Sequence, residues 1–402
     1  MKVAFVTSNY PPEGRGGTEQ VVTAMARELR ALGATIAAIT CSDTVHAGED
    51  RRDEVFEDVP VRRLFKKLDE WDHNGFVRPR VLGLVRDWLR ELAPDVVHVH
   101  SFAAFGAGTL AVCHELGLPV LLSCHDLWVT CARYFRLPPA GITCPTGTDR
   151  AACVPCIDQV VKSGPAAVAA ALAARDAALR ADVALAAAVT APSKTTATFV
   201  RECLPYAGAI EVVPHGLLRA VPVGERAPAP APGETLRVGT FGNLVAEKGL
   251  FELITAVAGL PIELHLCGGW IGQEFAARMR QRAAESGTTL IEHGPYQARD
   301  PHPARLLHLA VFPSRCQETY GLVVDEALAH GVPAVLSDRG AFAERRDQGG
   351  VVVTPLEKLR ATLHELVASP ARLAALRAAI ANELPTIAVS AARHLDLYRQ
   401  IA

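Results

Sequence analysis

Short apolar runs alternate with longer amphipathic stretches along most of this chain. Runs bounded by turn residues predict strands buried on both faces of a parallel sheet. The stretches between them carry the spacing of helices with one apolar face. In the first half the pattern predicts strands at 3–7, 35–40, 96–99, 120–123, 187–191 and 210–213, and helices at 18–32, 78–92, 166–180 and 194–202. It breaks at 219–236, where the Pro/Ala-rich residues 227–233 read as a stiff, exposed connection. The alternation then restarts. Strands are predicted at 237–241, 262–267, 290–292, 310–312, 334–336 and 351–353, and helices at 250–257, 273–285 and after Gly321. A last helix is predicted at 391–401.

Strand–helix alternation of this kind implies α/β architecture, here two Rossmann-like, doubly wound parallel-sheet domains. A length of 402 residues also suits two cores better than one. The expected division is 1–213, 214–385 and a C-terminal segment 386–402. Ligands of such sheets bind beyond the carboxyl ends of the strands, so the expected site is a central cleft between the domains.

Charge narrows the partners. Lys plus Arg number 41 and Asp plus Glu 43, a formal net charge of -2, which gives no general attraction to nucleic acid. One basic stretch, 61–67, reads either as a solvated connection or as an acceptor or membrane contact, so membrane contact is at most peripheral. The N-terminal apolar run is too short for a signal peptide, and no stretch qualifies as a membrane span. The expectation is a cytoplasmic protein whose ten cysteines are mostly reduced.

The richest chemistry lies in 313–333. Glu318 and Glu326 are separated by seven residues, with Gly321 between them where an amphipathic helix starts. The opening amides, those of Leu322 and Val323, suit a phosphate, and the two carboxylates suit the hydroxyls of a ribose or hexose. This segment, with Pro313-Ser314, Glu326-Ala327 and Gly331-Val332-Pro333, resembles the E-x7-E signature of retaining glycosyltransferases of family 4, which have the GT-B fold. The alternative is an ordinary strand–helix–strand unit with two surface glutamates.

The resemblance extends over nearly the whole chain and implies roles. A nucleoside-diphosphate sugar would bind mainly the second domain, with Glu326 on the ribose, Glu318 on the transferred sugar and Lys248 on the diphosphate. Asn243 stands where the family has an Arg, so a second cation would have to come from elsewhere, Arg15 or Arg315 being candidates. Gly16 and Gly17, with Thr18 as the expected N-cap, match the family's Gly-Gly loop facing the donor phosphates. His125-Asp126 matches its His-Asp, where the histidine lies beside the transferred sugar and a hydroxyl-bearing acceptor. His100 and Ser101, at the carboxyl end of a strand, join the acceptor side, while His98 reads as a hydrogen-bonded core residue. By the same resemblance His125, Lys248 and Glu318 are the catalytic candidates, and attack comes from the front face with no protein nucleophile. The chain has no Asp-x-Asp triplet, so no catalytic metal is expected. The rival functions are a GT-B sugar-nucleotide epimerase or hydrolase, and a non-catalytic nucleotide-sugar binder.

Cys131, Cys144, Cys153 and Cys156 fall in a polar segment, 127–160, that reads as a long loop in need of restraint. Structural zinc, free thiols and a disulfide are all open.

Overall fold

The computed structural model describes every residue except 15, 47, 68–75, 205, 298 and 299, and the side chains of 43 and 223. The chain divides into two compact units, Met1–Leu218 with Thr386–Ala402, and Arg219–Pro385.

The first unit begins with β1 (Lys2–Val6), α1 (Gly17–Ala31), β2 (Thr35–Val45), β3 (Arg51–Phe56), β4 (Val59–Lys66), α2 (Pro79–Leu92) and β5 (Val96–Val99). It continues with α3 (Thr109–Glu115), β6 (Val120–Ser123), α4 (Cys153–Val161), α5 (Pro165–Val183), β7 (Ala188–Ala191), α6 (Lys194–Cys203) and β8 (Ile210–Val212). The strands run in the order β3-β4-β2-β1-β5-β6-β7-β8, all parallel except the β3/β4 hairpin. The central strands β1, β5 and β6 are almost wholly buried and mostly apolar because helices cover both faces. Val21, Val22, Met25, Ala26 and Leu29 give α1 its buried stripe; Val81, Val85, Trp88 and Leu89 do the same for α2.

The second unit holds β9 (Leu236–Phe241), α7 (Leu250–Val257), β10 (Ile262–Cys267), α8 (Gln273–Glu285), β11 (Thr289–Gly294), β12 (Leu309–Phe312), α9 (Leu322–Ala329), β13 (Ala334–Leu336), β14 (Val351–Val353), α10 (Leu359–Ala368) and α11 (Pro370–Ala378). Its sheet order is β11-β10-β9-β12-β13-β14, entirely parallel. The last helix, α12 (Ile387–Ile401), belongs to the first unit and lies against α1. That unit extends to Leu218 because Leu217 pairs with Thr386, and the Leu217 carbonyl accepts from the Ile387 amide at 2.8 Å.

Three features depart from the sequence reading. The basic stretch 61–67 is mostly strand β4, not a solvated connection. Arg62 and Arg63 are buried, Arg62 against Asp53 and Glu91 (both 2.7 Å) and Arg63 against Glu54, so those two charges offer nothing to a membrane. Residues 127–160 are not all loop, because Cys153–Val161 form α4. Thr18 does not cap α1; the helix starts at Gly17 behind Gly16, with no side-chain cap. Among the described residues no helix is long and apolar enough to cross a membrane.

Candidate active site

Strand order locates the chemistry in each unit. In the second unit the winding reverses between β9 and β12, and at such a switch point the loops beyond the strand ends diverge and leave a crevice. The loop after β9 carries Asn243 and Lys248; the loop after β12 carries Glu318. Backbone detail holds the two loops together. Gly249 has φ 75°, and a Cβ there would lie 1.9 Å from the Pro313 carbonyl oxygen, so only glycine allows this approach. The Arg315 amide donates to the Glu247 carbonyl at 2.9 Å.

The result is an ion pair, Lys248 Nζ to Glu318 Oε1 at 2.6 Å. Ser314 Oγ donates to the same carboxylate oxygen, and Cys316 Sγ lies 3.9 Å from it. Glu318 is buried while the Lys248 side chain stays 41% exposed, so the ammonium remains open to a ligand. Burial works against the Lys248 charge, but Glu318, with Cys316 and Glu247, outweighs it and raises its pKa.

Helix α9 opens beside this pair. Its N-cap is Gly321, with φ 86° and no side chain of its own to cap the opening amides. Gly242, in the loop after β9, lies next to Val323. Glu326, one turn into the helix, has Oε2 3.6 Å from His302 Nε2. His302 stacks on His330 at 4.6 Å and meets the edges of Phe241 and Tyr296. Lys248, Glu318 and the start of α9 therefore come together. Asn243 is exposed at the loop surface. Of the two candidate extra cations, Arg315 pairs with Glu252 at 3.3 Å and Arg15 lies outside the described residues.

In the first unit the reversal falls between β1 and β5. There Ser8 Oγ meets Ser101 Oγ at 2.9 Å. His100, just past β5, contacts His125 (Nδ1 to Nε2, 2.9 Å), and His125 Nδ1 lies 3.4 Å from His215 Nε2. His100 Nε2 is buried without a hydrogen-bond partner, beside a small cavity lined by Ser101, Cys124, His125 and Asp126. His98 is the core residue expected, bonded to Tyr398 Oη at 2.5 Å and Ser123 Oγ at 2.7 Å. Asp126 accepts from the Trp128 amide at 2.8 Å, and burial raises its pKa. Sequence reasoning missed His215, which follows β8, and His394 of α12, 3.4 Å from Ser123 Oγ; neither belongs to a motif that marks it.

Five imidazoles packed this way are held neutral. Burial, then the neighbouring histidines, push His98, His100 and His125 well below the ordinary value of 6.5; burial first takes His215 to about 3 and His394 to about 4. An unfolded chain binds these protons already near pH 6.5, the folded chain only further down. Stability from the cluster is therefore complete above about pH 6.5 and is lost as the pH falls below it. Asp126 and Asp182, raised by burial, Asp182 to about 6, act in the opposite direction, but they are two groups against five. The melting temperature should drop between pH 7 and pH 5. A flat profile by scanning calorimetry would show that the cluster is already protonated or solvated.

Comparison with known proteins agrees with this geometry. Residues 15–217 match the family model for Glycosyltransferase Family 4, and residues 225–383 that for Glycosyl transferases group 1. A stretch of 123 residues is 33% identical to a GDP-mannose-dependent alpha-mannosyltransferase of Mycolicibacterium smegmatis; it covers 30% of this chain and only 31% of that protein. Among solved structures, sucrose-phosphate synthase from Thermosynechococcus elongatus superposes with a TM-score of 0.68 at 18% identity, over 99% of this chain and 98% of that one. Anabaena Alr3699/HepE, solved with UDP and glucose, gives 0.63 at 15% identity over the full length of both. Two successive sheets, parallel except for the β3/β4 hairpin, with these matches make the chain a member of Glycosyltransferase Family 4, a glycosyltransferase with the GT-B fold.

Proposed function

We propose that this protein is a retaining glycosyltransferase that moves a sugar from a nucleoside-diphosphate sugar to an acceptor hydroxyl. The observation that carries the reading is the second-unit switch point, where an open ammonium, a buried carboxylate and an uncapped helix start converge. Lys248 and the amides of Leu322 and Val323 would take the diphosphate, Glu318 the transferred sugar and Glu326 the ribose hydroxyls. In the first unit, the Gly16-Gly17 backbone at the start of α1 would face the donor phosphates, and His100, Ser101, His125 and Asp126 would receive the acceptor. The bond from the anomeric carbon to phosphate oxygen breaks, and the acceptor oxygen bonds to that carbon on the same face. The acceptor proton passes to the departing phosphate oxygen, so no metal and no protein base are needed. Because one relative is named for GDP-mannose and one structural neighbour was solved with UDP and glucose, GDP-mannose and UDP-glucose are the first donors to test.

The test is calorimetric titration with those donors, followed by product analysis by NMR with and without acceptor. Retained anomeric configuration is expected, with turnover that survives a chelator; inversion, or equal consumption of donor without acceptor, would defeat the proposal. Glu326→Ala should weaken donor binding by about 1.5–3 kcal/mol, the value of hydrogen bonds to a charged group, while the fold survives. An unchanged affinity would remove Glu326 from the site.

A further inference from the structure

We propose that Cys131, Cys144, Cys153 and Cys156 form a structural zinc site in the first unit, apart from the transfer chemistry. All ten cysteines are free of disulfides, and these four line one cavity together. They come from two kinds of structure. Cys131 and Cys144 lie in 124–152, a stretch between β6 and α4 with neither helix nor strand. Cys153 and Cys156 open α4, where a spacing of three places them on one helix face. Cys144 lies within Coulombic reach of the other three.

The charge around the cavity is the second, independent observation. Its charged lining consists of Arg133, Arg150 and Arg175 and a single carboxylate, Asp176. Four neutral thiols have no use for a surplus of two positive charges. Four thiolates around Zn²⁺ carry two negative charges, which that surplus balances. The cations are fixed in place: Arg133 Nη1 donates to Cys156 Sγ at 3.4 Å, Arg150 pairs with Asp176 at 2.6 Å, and Arg175 stacks over Trp128 at 4.9 Å. As they stand, no three His, Cys, Asp or Glu side chains among the described residues are arranged to hold a metal ion. Zinc would draw the four sulfurs in to about 2.3 Å and close the shell, leaving no open position for chemistry. The clamp would order a stretch longer than unrestrained loops usually are, directly after His125 and Asp126.

Elemental analysis of the full-length protein, purified without added metal, should find about one zinc per chain. Cys153→Ser should lose most of it, and Cys113→Ser, outside the cavity, should keep it. If Cys153→Ser fails to fold, the wild-type protein decides: cobalt exchanged for zinc should give the absorption of a tetrahedral thiolate complex, and four thiols should become reactive only after chelation. Folded protein without zinc and with those thiols free, or iron with acid-labile sulfide in the site, would overturn the proposal. These readouts do not depend on sugar transfer, so a zinc-bound protein that transfers nothing would count against the proposed function alone.

Discussion

Lys248→Ala should lower turnover by about 10²–10³-fold and change the donor Michaelis constant far less. The split follows from when the charge develops. The diphosphate gains negative charge as its bond to the sugar breaks, so a cation placed there stabilises the transition state more than the bound donor. Among the described residues, the other candidates add little charge there. Asn243 brings no charge, and Arg315 is paired with Glu252. Removing Lys248 also strips Glu318 of its partner, which would confuse a stability effect with a catalytic one. Lys248→Arg separates the two: it restores the ion pair, and with it the melting temperature, and should recover part of the turnover. Near-wild-type turnover in Lys248→Ala would remove the lysine from the diphosphate site. If the missing arginine limits the rate, Asn243→Arg should raise it.

The candidate site of the second unit was legible in the sequence because its logic is local. A buried strand, a glycine that admits close backbone approach and a helix start recur after β9 and after β12, and each carries its polar residue within a few positions. The histidine cluster of the first unit was less legible. His100 and His125 follow strands and could be read as lying at the active end of the sheet. His215 and His394 meet them only through the fold, across 90 and 271 residues from His125 and Ser123. The β3/β4 hairpin escaped for a different reason. Its turn uses Glu57 and Asp58, both at positive φ, where asparagine and glycine normally signal such a turn. Its arginines, on β4, looked like surface because their acidic partners lie elsewhere in the chain, Asp53 and Glu54 on β3 and Glu91 on α2. Ion pairs that bury charge are invisible to a reading of hydrophobic pattern.

Asp325 is the strongest case of that kind. It lies between the two glutamates of the signature, and nothing in the hydrophobic pattern marks it out. In the structure it is buried, held by Arg345 at 2.5 Å and by Tyr320 Oη at 2.7 Å, with the Arg345 guanidinium 4.8 Å above the Tyr320 ring. Arg345 closes the short helical turn Ala341–Arg345, and the start of that turn binds Glu318: the Ala341 amide donates to the Glu318 carbonyl at 2.8 Å. Asp325 thus ties the helix of Glu326 to the backbone that positions Glu318. Asp325→Ala leaves the largely enclosed Arg345 cation without its carboxylate, so it should cost about 3 kcal/mol of stability, more than any surface ion pair. Urea unfolding followed through Trp270, the second unit's tryptophan, measures this directly. Donor affinity should fall as well, because both glutamates lose their support. The double variant Asp325→Leu with Arg345→Met removes both charges and should recover much of the stability without the affinity. A stability loss below about 1 kcal/mol with full donor binding would mean that the pair is solvated and positions neither carboxylate.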